Sequence, residues 1–339
     1  MRLLASRSVA AAVALVALAA GGSARGDVLD LALHRLVTPP VPGQAATPDL
    51  SAQTAYRQFV SELGVVMAPQ ILTPADTVGY SGFQFTLDAG FTSISNNKCV
   101  PGETRDRCPW QYAVSGRDAN GVAKDLPSMA STLSIMARKG IWLPLPSFEI
   151  GAGATKLMQS DIFALQLYAK FALHEGFHDW PLPSLSVRGS ATRVLGASQL
   201  DLTMAQVDVN VSQSFGLVGS VPRVAYLGFA SLGILARGQV LDTTPDIDAF
   251  KLGPGAQDLN ANAVFQDQDT ILRWRFFGGL RLSYSILVLT FDYMATACGD
   301  LGAGQGGACS RREAKMGDAK IPDNATTQHT VSVSAGFLF

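Results

Sequence analysis

The stretch Ile271-Leu-Arg-Trp-Arg-Phe-Phe-Gly-Gly-Leu-Arg-Leu-Ser283 alternates between two kinds of side chain. The even positions carry apolar groups: Leu272, Trp274, Phe276, Leu280 and Leu282. Arg273, Arg275, Arg281 and Ser283 stand at odd positions. A period of two is the pattern of a β-strand whose faces meet different surroundings. Because a soluble protein does not turn so much aromatic bulk towards water, the pattern indicates a strand with one face in lipid.

The same alternation recurs along most of the chain. It covers about residues 83–92, 132–138, 148–155, 163–173, 185–190, 207–212, 272–283, 287–293 and 330–339, and residues 224–236 are strand-like with an ambiguous phase. This gives about ten strands, within a range of about 8–12, and many are long enough to cross a bilayer at a tilt. We therefore predict an all-β fold, a closed antiparallel transmembrane β-barrel with a short helical N-terminal segment.

The composition excludes several classes of protein. Hydrophobic residues make up 47% of the chain and charged residues 16%, which is too apolar for a disordered protein. With 26 basic against 27 acidic residues, the chain has no basic surface for a nucleic acid, so no such partner is expected. Beyond the first 26 residues, the longest apolar stretch, Val224–Ala236, is shorter than the roughly 18 residues that a membrane helix needs.

The chain begins like an exported protein. Arg2 and Arg7 precede the apolar run Val9–Ala20, and Gly22-Ser23-Ala24 follows as a small-residue cleavage site, so residues 1–24 are predicted to be a signal peptide. Residues 25–79 have helical spacing interrupted by prolines and are predicted to form a periplasmic or plugging segment. The barrel is predicted over residues 80–339.

The connections between the predicted strands alternate in length. Long polar connections follow strands one, seven and nine, at about residues 95–129, 237–269 and 298–328, whereas those after even-numbered strands are short. Outer-membrane barrels have this asymmetry, with long loops outside and short turns in the periplasm. Both cysteine pairs, Cys99 with Cys108 and Cys298 with Cys309, fall in long loops. Because export permits disulfides, we predict one bond within each pair.

The last strand carries a terminal signature. Apolar side chains alternate up to the carboxyl end, at Val331, Val333, Ala335, Phe337 and Phe339. With the signal peptide and the period-2 strands, this ending resembles the bacterial outer-membrane β-barrel proteins. In that family the terminal aromatic strand is read by the barrel assembly machinery. The resemblance implies a bacterial outer-membrane location, with membrane lipid and that machinery as partners.

Charged side chains fall on the predicted inner face. They are Asp88, Arg138, Glu149, Lys170, Arg188, Asp208, Arg273, Arg275, Arg281 and Asp292. Two interpretations stay open. In the first, the ten charged residues form a packed polar core in which opposite charges pair with one another. In the second, they line a narrow passage in which the three arginines at 273, 275 and 281, an arginine ladder, contact a small anionic or lipidic ligand. The predicted function is a passage for small solutes or lipidic molecules, or a structural or surface barrel, without enzymatic activity or cofactor.

The alternative class is a hydrolase. His174, Glu175 and His178 match H-E-x-x-H, which binds zinc when a helix places both imidazoles one turn apart. Alternation over residues 163–173 and the prolines at 181 and 183 favour a strand end and a turn instead, so no metal site is predicted. Asp242, Asp246 and Asp248 form an acidic loop that is predicted to be solvated rather than to bind Ca²⁺.

Overall fold

The computed structural model describes residues 27–37, 48–96, 108–114, 126–141, 147–175, 182–215, 223–240, 263–298 and 314–339. Ten long strands form its body. They are β1 (Phe83–Ser93), β2 (Met129–Ile141), β3 (Phe148–Leu157), β4 (Phe163–His174), β5 (Ser184–Leu195), β6 (Leu200–Phe215), β7 (Arg223–Val240), β8 (Ile271–Tyr284), β9 (Leu287–Cys298) and β10 (Gln328–Leu338). The predicted number of strands is confirmed.

The sheet closes on itself. Each strand pairs antiparallel with its neighbours in the chain, and β1 also pairs with β10. At the seam, Phe83 N donates to Phe339 O at 2.9 Å and Phe339 N donates to Phe83 O at 2.8 Å. Closure removes the unpaired edges that an open sheet would leave, which a lipid environment requires. The predicted closed antiparallel barrel is therefore confirmed.

The two faces of the barrel are inverted relative to a soluble protein. On β4, Leu165 and Leu167 are 51% and 64% exposed on the outside, whereas Gln166 and Lys170 are buried inside. The same alternation of exposed and buried positions runs along β1, β2 and β10. All ten charged residues predicted on the inner face are buried. The position of each residue in the period-2 pattern of its strand is enough to predict that its side chain lies on the inner face.

Three helical elements accompany the strands. They are a 3₁₀ turn (Leu33–Leu36), helix α1 (Leu50–Met67) and helix α2 (Pro109–Ala113). Asp49 caps α1 by accepting a hydrogen bond of 2.7 Å from Ala52 N. Every residue over 52–67 is buried, so α1 is enclosed on all sides. Among the described residues, no helix combines the length and apolar character needed to cross a membrane.

Helix α1 explains the ambiguous phase of β7. The inward residues Leu232 and Ile234 are apolar and buried, and an added Cβ on Gly64 of α1 would lie 2.7 Å from Ile234 Cδ1. Further along the strand, Tyr56 of α1 packs closely over Gly238. Both faces of this part of β7 are therefore apolar, because one meets the exterior and the other meets the helix.

Two ends of the barrel can be distinguished. We call the end at which β1, β7 and β9 run into long connections the long-loop end, and the opposite end the short-turn end. Residues 27–37 lie at the long-loop end, where Leu29 N donates to Gln159 O at 2.9 Å and Leu33 N donates to Gln199 Oε1 at 2.8 Å. Residues 68–79, the lumenal segment, then run from α1 to Gly82 and the start of β1 at the short-turn end.

Candidate functional site

The candidate site is the lumen, and the lumenal segment occupies it. Main-chain oxygens of the segment accept hydrogen bonds from side chains of four different strands. The donors are Arg275 to Pro69 at 2.8 Å, Arg138 to Leu72 at 3.4 Å, Asn210 to Thr73 at 2.7 Å and Lys170 to Asp76 at 2.8 Å. The polar inner wall thus bonds to a separate piece of chain, in addition to bonding to itself.

The segment also donates to the wall near the short-turn end. Val78 N donates to Glu149 Oε2 at 2.8 Å, and Ala75 N donates to Ser212 Oγ at 3.1 Å. Glu175 accepts from both Thr77 N at 2.7 Å and Thr77 Oγ1 at 2.6 Å. Because both partners of each contact are buried or half-buried, these bonds hold the segment in one register along the lumen.

The predicted arginine ladder is engaged by the protein itself. Arg273 donates to Ser61 Oγ of α1 at 2.9 Å and to Thr326 O at 2.7 Å. Arg275 donates to Pro69 O and, at 2.5 Å, to Gln206 Oε1. Arg281 is also buried, but its Nε has no hydrogen-bond partner within the described part of the chain. Contact of the three guanidinium groups with a solute remains a prediction.

Other predicted inner charges form pairs across neighbouring strands. Lys170 Nζ lies 3.2 Å from Glu149 Oε1, and Arg188 Nε lies 2.9 Å from Asp208 Oδ2. Tyr168 joins the two pairs, since its hydroxyl donates to Glu149 at 2.6 Å and the Arg188 guanidinium lies 5.3 Å above its ring. Mutual pairing of this kind is what allows so many charges to be buried.

Some side chains of the inner wall have a buried polar atom outside these hydrogen-bond networks. Asp88 Oδ1 on β1, Ser332 Oγ on β10 and Arg281 Nε on β8 are buried and have no hydrogen-bond partner among residues that the structure covers. Buried polar atoms are normally satisfied by protein or by water. Such atoms lie on several strands around the lumen and are suited to bind solvent or a polar solute.

Helix α1 carries a second cluster that the sequence did not indicate. The buried Glu62 carboxylate accepts from Ser95 N at 2.9 Å, Ser95 Oγ at 2.7 Å and Trp110 Nε1 at 2.7 Å. Ser61 donates to Asp323 Oδ2 at 2.9 Å. These bonds tie α1 to the long connections that follow β1 and β9. The polar side chains of α1, at residues 51, 53, 54, 57, 58, 61 and 62, share one half of the helix, and the sequence alone does not show that this half is enclosed as well.

The described part of the H-E-x-x-H motif, His174 and Glu175, is not helical. His174 is the last residue of strand β4, and Glu175 bonds to Thr77 and, at 2.6 Å, to Ser147 Oγ. His178 lies outside the described residues. No group of three or more His, Cys, Asp or Glu side chains within the described ranges is arranged to hold a metal ion.

Several sequence predictions concern residues that the structure does not describe. They are the signal peptide at residues 1–24, the cysteines at 99 and 309, and the acidic loop with its aspartates at 242, 246 and 248. The two disulfide pairings, the signal peptide and the solvated loop therefore stay predictions.

No protein-family model matches the chain, and no curated protein matches it. The chain is similar to three solved structures, all at low identity. Neisserial surface protein A matches at 11% identity over 76% of this chain and 95% of that chain, with a TM-score of 0.24. The Acinetobacter baumannii outer membrane protein Omp33 matches at 6% identity over 78% and 100%, with a TM-score of 0.26. The translocator domain of the autotransporter NalP from Neisseria meningitidis matches at 11% identity over 85% and 96%, with a TM-score of 0.33.

Proposed function

We propose that this chain is a bacterial outer-membrane β-barrel that forms a narrow passage, closed here by its own lumenal segment. The passage opens when the segment leaves the lumen. The single observation that carries the proposal is the bonding of the inner wall to the main-chain oxygens of Pro69, Leu72, Thr73 and Asp76. These bonds can be broken without unpairing any strand of the barrel.

The exterior supports the membrane location. Bulky apolar side chains such as Leu167 and Leu227, which are 64% and 65% exposed, cover the outside of a closed sheet. An exposed apolar surface of this extent is unfavourable in water and favourable in a bilayer. Export by the predicted signal peptide and insertion through the C-terminal strand by the assembly machinery fit the same location.

The inner charges support an anionic or acidic lipidic solute. Departure of the segment would release Arg138, Lys170 and Arg275 from their carbonyl acceptors. Arg281 would add a fourth cation with an unbonded Nε. Guanidinium groups recognise carboxylate and phosphate geometry well, so the opened lumen would prefer anions.

A structural barrel with a permanently filled lumen is the second candidate. The enclosure of α1 within the long-loop end favours it, since Tyr56 packs over Gly238 and stacks on Phe265 with ring centroids 4.2 Å apart. A helix packed this closely would have to move before any solute could enter from that end. Conductance measurements separate the two functions.

The test is planar-bilayer conductance of the refolded mature chain. The double variant Asn210→Ala with Ser212→Ala removes two contacts to the segment without changing the charge of the lumen. The matched control, Ser190→Ala with Thr192→Ala, removes lumenal hydroxyls that bond to no described residue. We expect the wild type and the control to be mostly closed, and the contact variant to open several times more often with anion preference.

A deletion of residues 48–78 completes the test, because it removes α1 and most of the lumenal segment together. If the contact variant and the deletion variant are both folded and neither conducts ions, the proposed passage is rejected in favour of the structural barrel. If the opened variant conducts without preferring anions, only the assignment of the arginines is rejected. Replacing Arg273 and Arg275 together with Gln should reduce the anion preference of the open state.

A further inference from the structure

The outer wall of the barrel has a depressed area of small side chains. It spans β2 to β5 in the half nearer the short-turn end and encloses a groove of about 730 Å³. Small residues contributed by all four strands form it: Ala137, Ala152, Ala169, Gly189 and Ala191. A cavity of this size lies within the usual range for sites that bind small molecules.

Strand register brings these residues together on the outer face. Ala137 pairs with Ala152, which is opposite Leu167, and Leu167 is opposite Ala191. In the next row Ile150 pairs with Ala169, which is opposite Gly189. Each row therefore combines short side chains with one bulky exposed group, which is Leu167 in the first row and Ile150 in the second. The depression follows from side-chain size and does not need a bend in the sheet.

The sheet that forms the floor of the groove is supported from the inner face. Gly151 leaves room for the ring of Tyr168, since an added Cβ would lie 2.1 Å from Tyr168 Cε1. That ring is fixed by its hydrogen bond of 2.6 Å to Glu149 and by the Arg188 guanidinium above it. A groove over a fixed floor is already formed before any ligand binds, which reduces the entropic cost of binding.

One cation lies at the edge of the groove. Lys139 is exposed on the outer face of β2, and its ammonium donates to Ser81 O at 2.5 Å. No carboxylate among the described residues forms an ion pair with Lys139. A lysine beside the end of a transmembrane strand can extend to the level of the lipid headgroups. Lys139 therefore offers charge complementarity to an anionic headgroup next to an apolar groove.

We infer that this groove holds an anionic phospholipid, with an acyl chain along the small residues and the phosphate at Lys139. The inference rests on the proposed membrane location. A second copy of the chain is a poorer occupant, because the same groove residues of the copy include no acidic side chain to pair with Lys139. A phospholipid satisfies both the apolar groove and the cation.

The experiment is native mass spectrometry of the mature chain purified in detergent and mixed with phosphatidylglycerol or with phosphatidylcholine of the same acyl chains. The variant Ala169→Leu with Gly189→Leu fills the groove; a Cβ on Gly189 meets nothing within 4 Å, so the added side chain fits the strand. The control Ala295→Leu adds a leucine on the outer face of β9, away from the groove. Lys139→Gln removes only the charge.

We expect the wild type and Ala295→Leu to retain one phosphatidylglycerol molecule, and the groove-filled variant to bind it about tenfold more weakly or worse. Lys139→Gln should bind both lipids equally, since only the headgroup contact is lost. This variant leaves the packing intact and keeps the test valid if the groove-filled variant does not fold.

Equal retention in the wild type and the folded groove-filled variant would overturn the inference. A wild-type dimer that the same substitutions dissociate would overturn it in favour of a second copy. If the chain needs detergent but retains no lipid, the groove assignment fails and the membrane location stands. If the same preparation needs no detergent, the membrane location itself fails.

Discussion

The indole N–H of Trp110 donates a hydrogen bond of 2.7 Å to the carboxylate of Glu62. Trp110 belongs to α2, in the connection after β1, and Glu62 lies in the middle of α1. Both side chains are buried, and Ser95 bonds to the same carboxylate. The contact therefore holds α1 and the first long connection together at the long-loop end of the barrel.

Glu62→Ala should destabilise this end of the barrel by at least about 2 kcal/mol, because it leaves the buried donors of Trp110 and Ser95 without an acceptor. Glu62→Gln keeps one acceptor oxygen and should reduce the free energy of unfolding by less. Denaturant unfolding in detergent micelles, followed by tryptophan fluorescence, measures the difference. Gln58→Ala is the control, since its amide donates to Glu62 at 3.1 Å and its loss leaves Trp110 and Ser95 with their acceptor. Equal stability of Glu62→Ala and the control would show that the contact does not hold the helix.

Gly64→Leu should destabilise the chain by about 1–3 kcal/mol, because the new side chain would overlap Ile234 on the inner face of β7. Ile234→Ala alone should also destabilise, through the cavity that it leaves. The two substitutions together should cost less than the sum of their separate effects, since the added leucine occupies the space that isoleucine vacates. A double-mutant cycle of unfolding free energies measures this coupling. Simple additivity would mean that α1 and β7 are not packed as described.

The sequence predicts the barrel well because each strand face meets one kind of surroundings. Trp274 and Arg275 stand side by side in β8, and their opposite environments are visible in the period-2 pattern. Strand β7 is harder to predict, because Leu232 and Ile234 point inward and yet contact an apolar helix. Its partner lies about 170 positions earlier in the chain, and no local pattern reveals it.

The route of the lumenal segment could not be predicted for a different reason. Arg138, Lys170 and Arg275 bond to main-chain oxygens, and every residue type supplies such an oxygen. The sequence thus predicts that the charged donors lie on the inner face, but it does not identify their acceptors. Only Pro69 and Pro74 hint that residues 68–79 are extended rather than helical.

Asp323→Asn should make the stability of the barrel less dependent on pH. Burial raises the pKa of Asp323 above its ordinary value of 3.8, against the opposing effect of Arg273. The folded chain therefore binds this proton more tightly than the unfolded chain does, and the stability falls as the pH rises from 3.8 through the raised pKa.

The amide oxygen introduced by Asp323→Asn can still accept from Ala325 N, which donates to Oδ1 at 3.0 Å, whereas the bond of 2.9 Å from Ser61 Oγ to Oδ2 is lost. Thermal unfolding of this variant measured from acidic to neutral pH should lack the decline seen in the wild type. Asp201→Asn, on the exterior, serves as the control and should keep the wild-type profile. A decline of the same size in Asp323→Asn would assign the pH dependence to another group.

Phe339→Ala should reduce insertion into cell membranes without weakening the folded barrel. The Phe339 side chain is 68% exposed, and the seam to Phe83 is made by main-chain atoms that the substitution retains. Membrane-inserted protein in cells and refolding yield in detergent are the two measurements. Phe291→Ala, an exposed aromatic on β9, is the control. An equal loss of refolding yield and insertion would indicate a packing role instead of a signal for assembly.

We propose that lipid covers the outside of the barrel while polar and charged groups fill the inside. Analytical ultracentrifugation of the purified mature chain, with the bound detergent quantified, tests it most directly. We predict a folded monomer that carries a detergent belt and precipitates when the detergent is removed. A folded, monodisperse particle that persists in aqueous buffer with no bound detergent would contradict the claim.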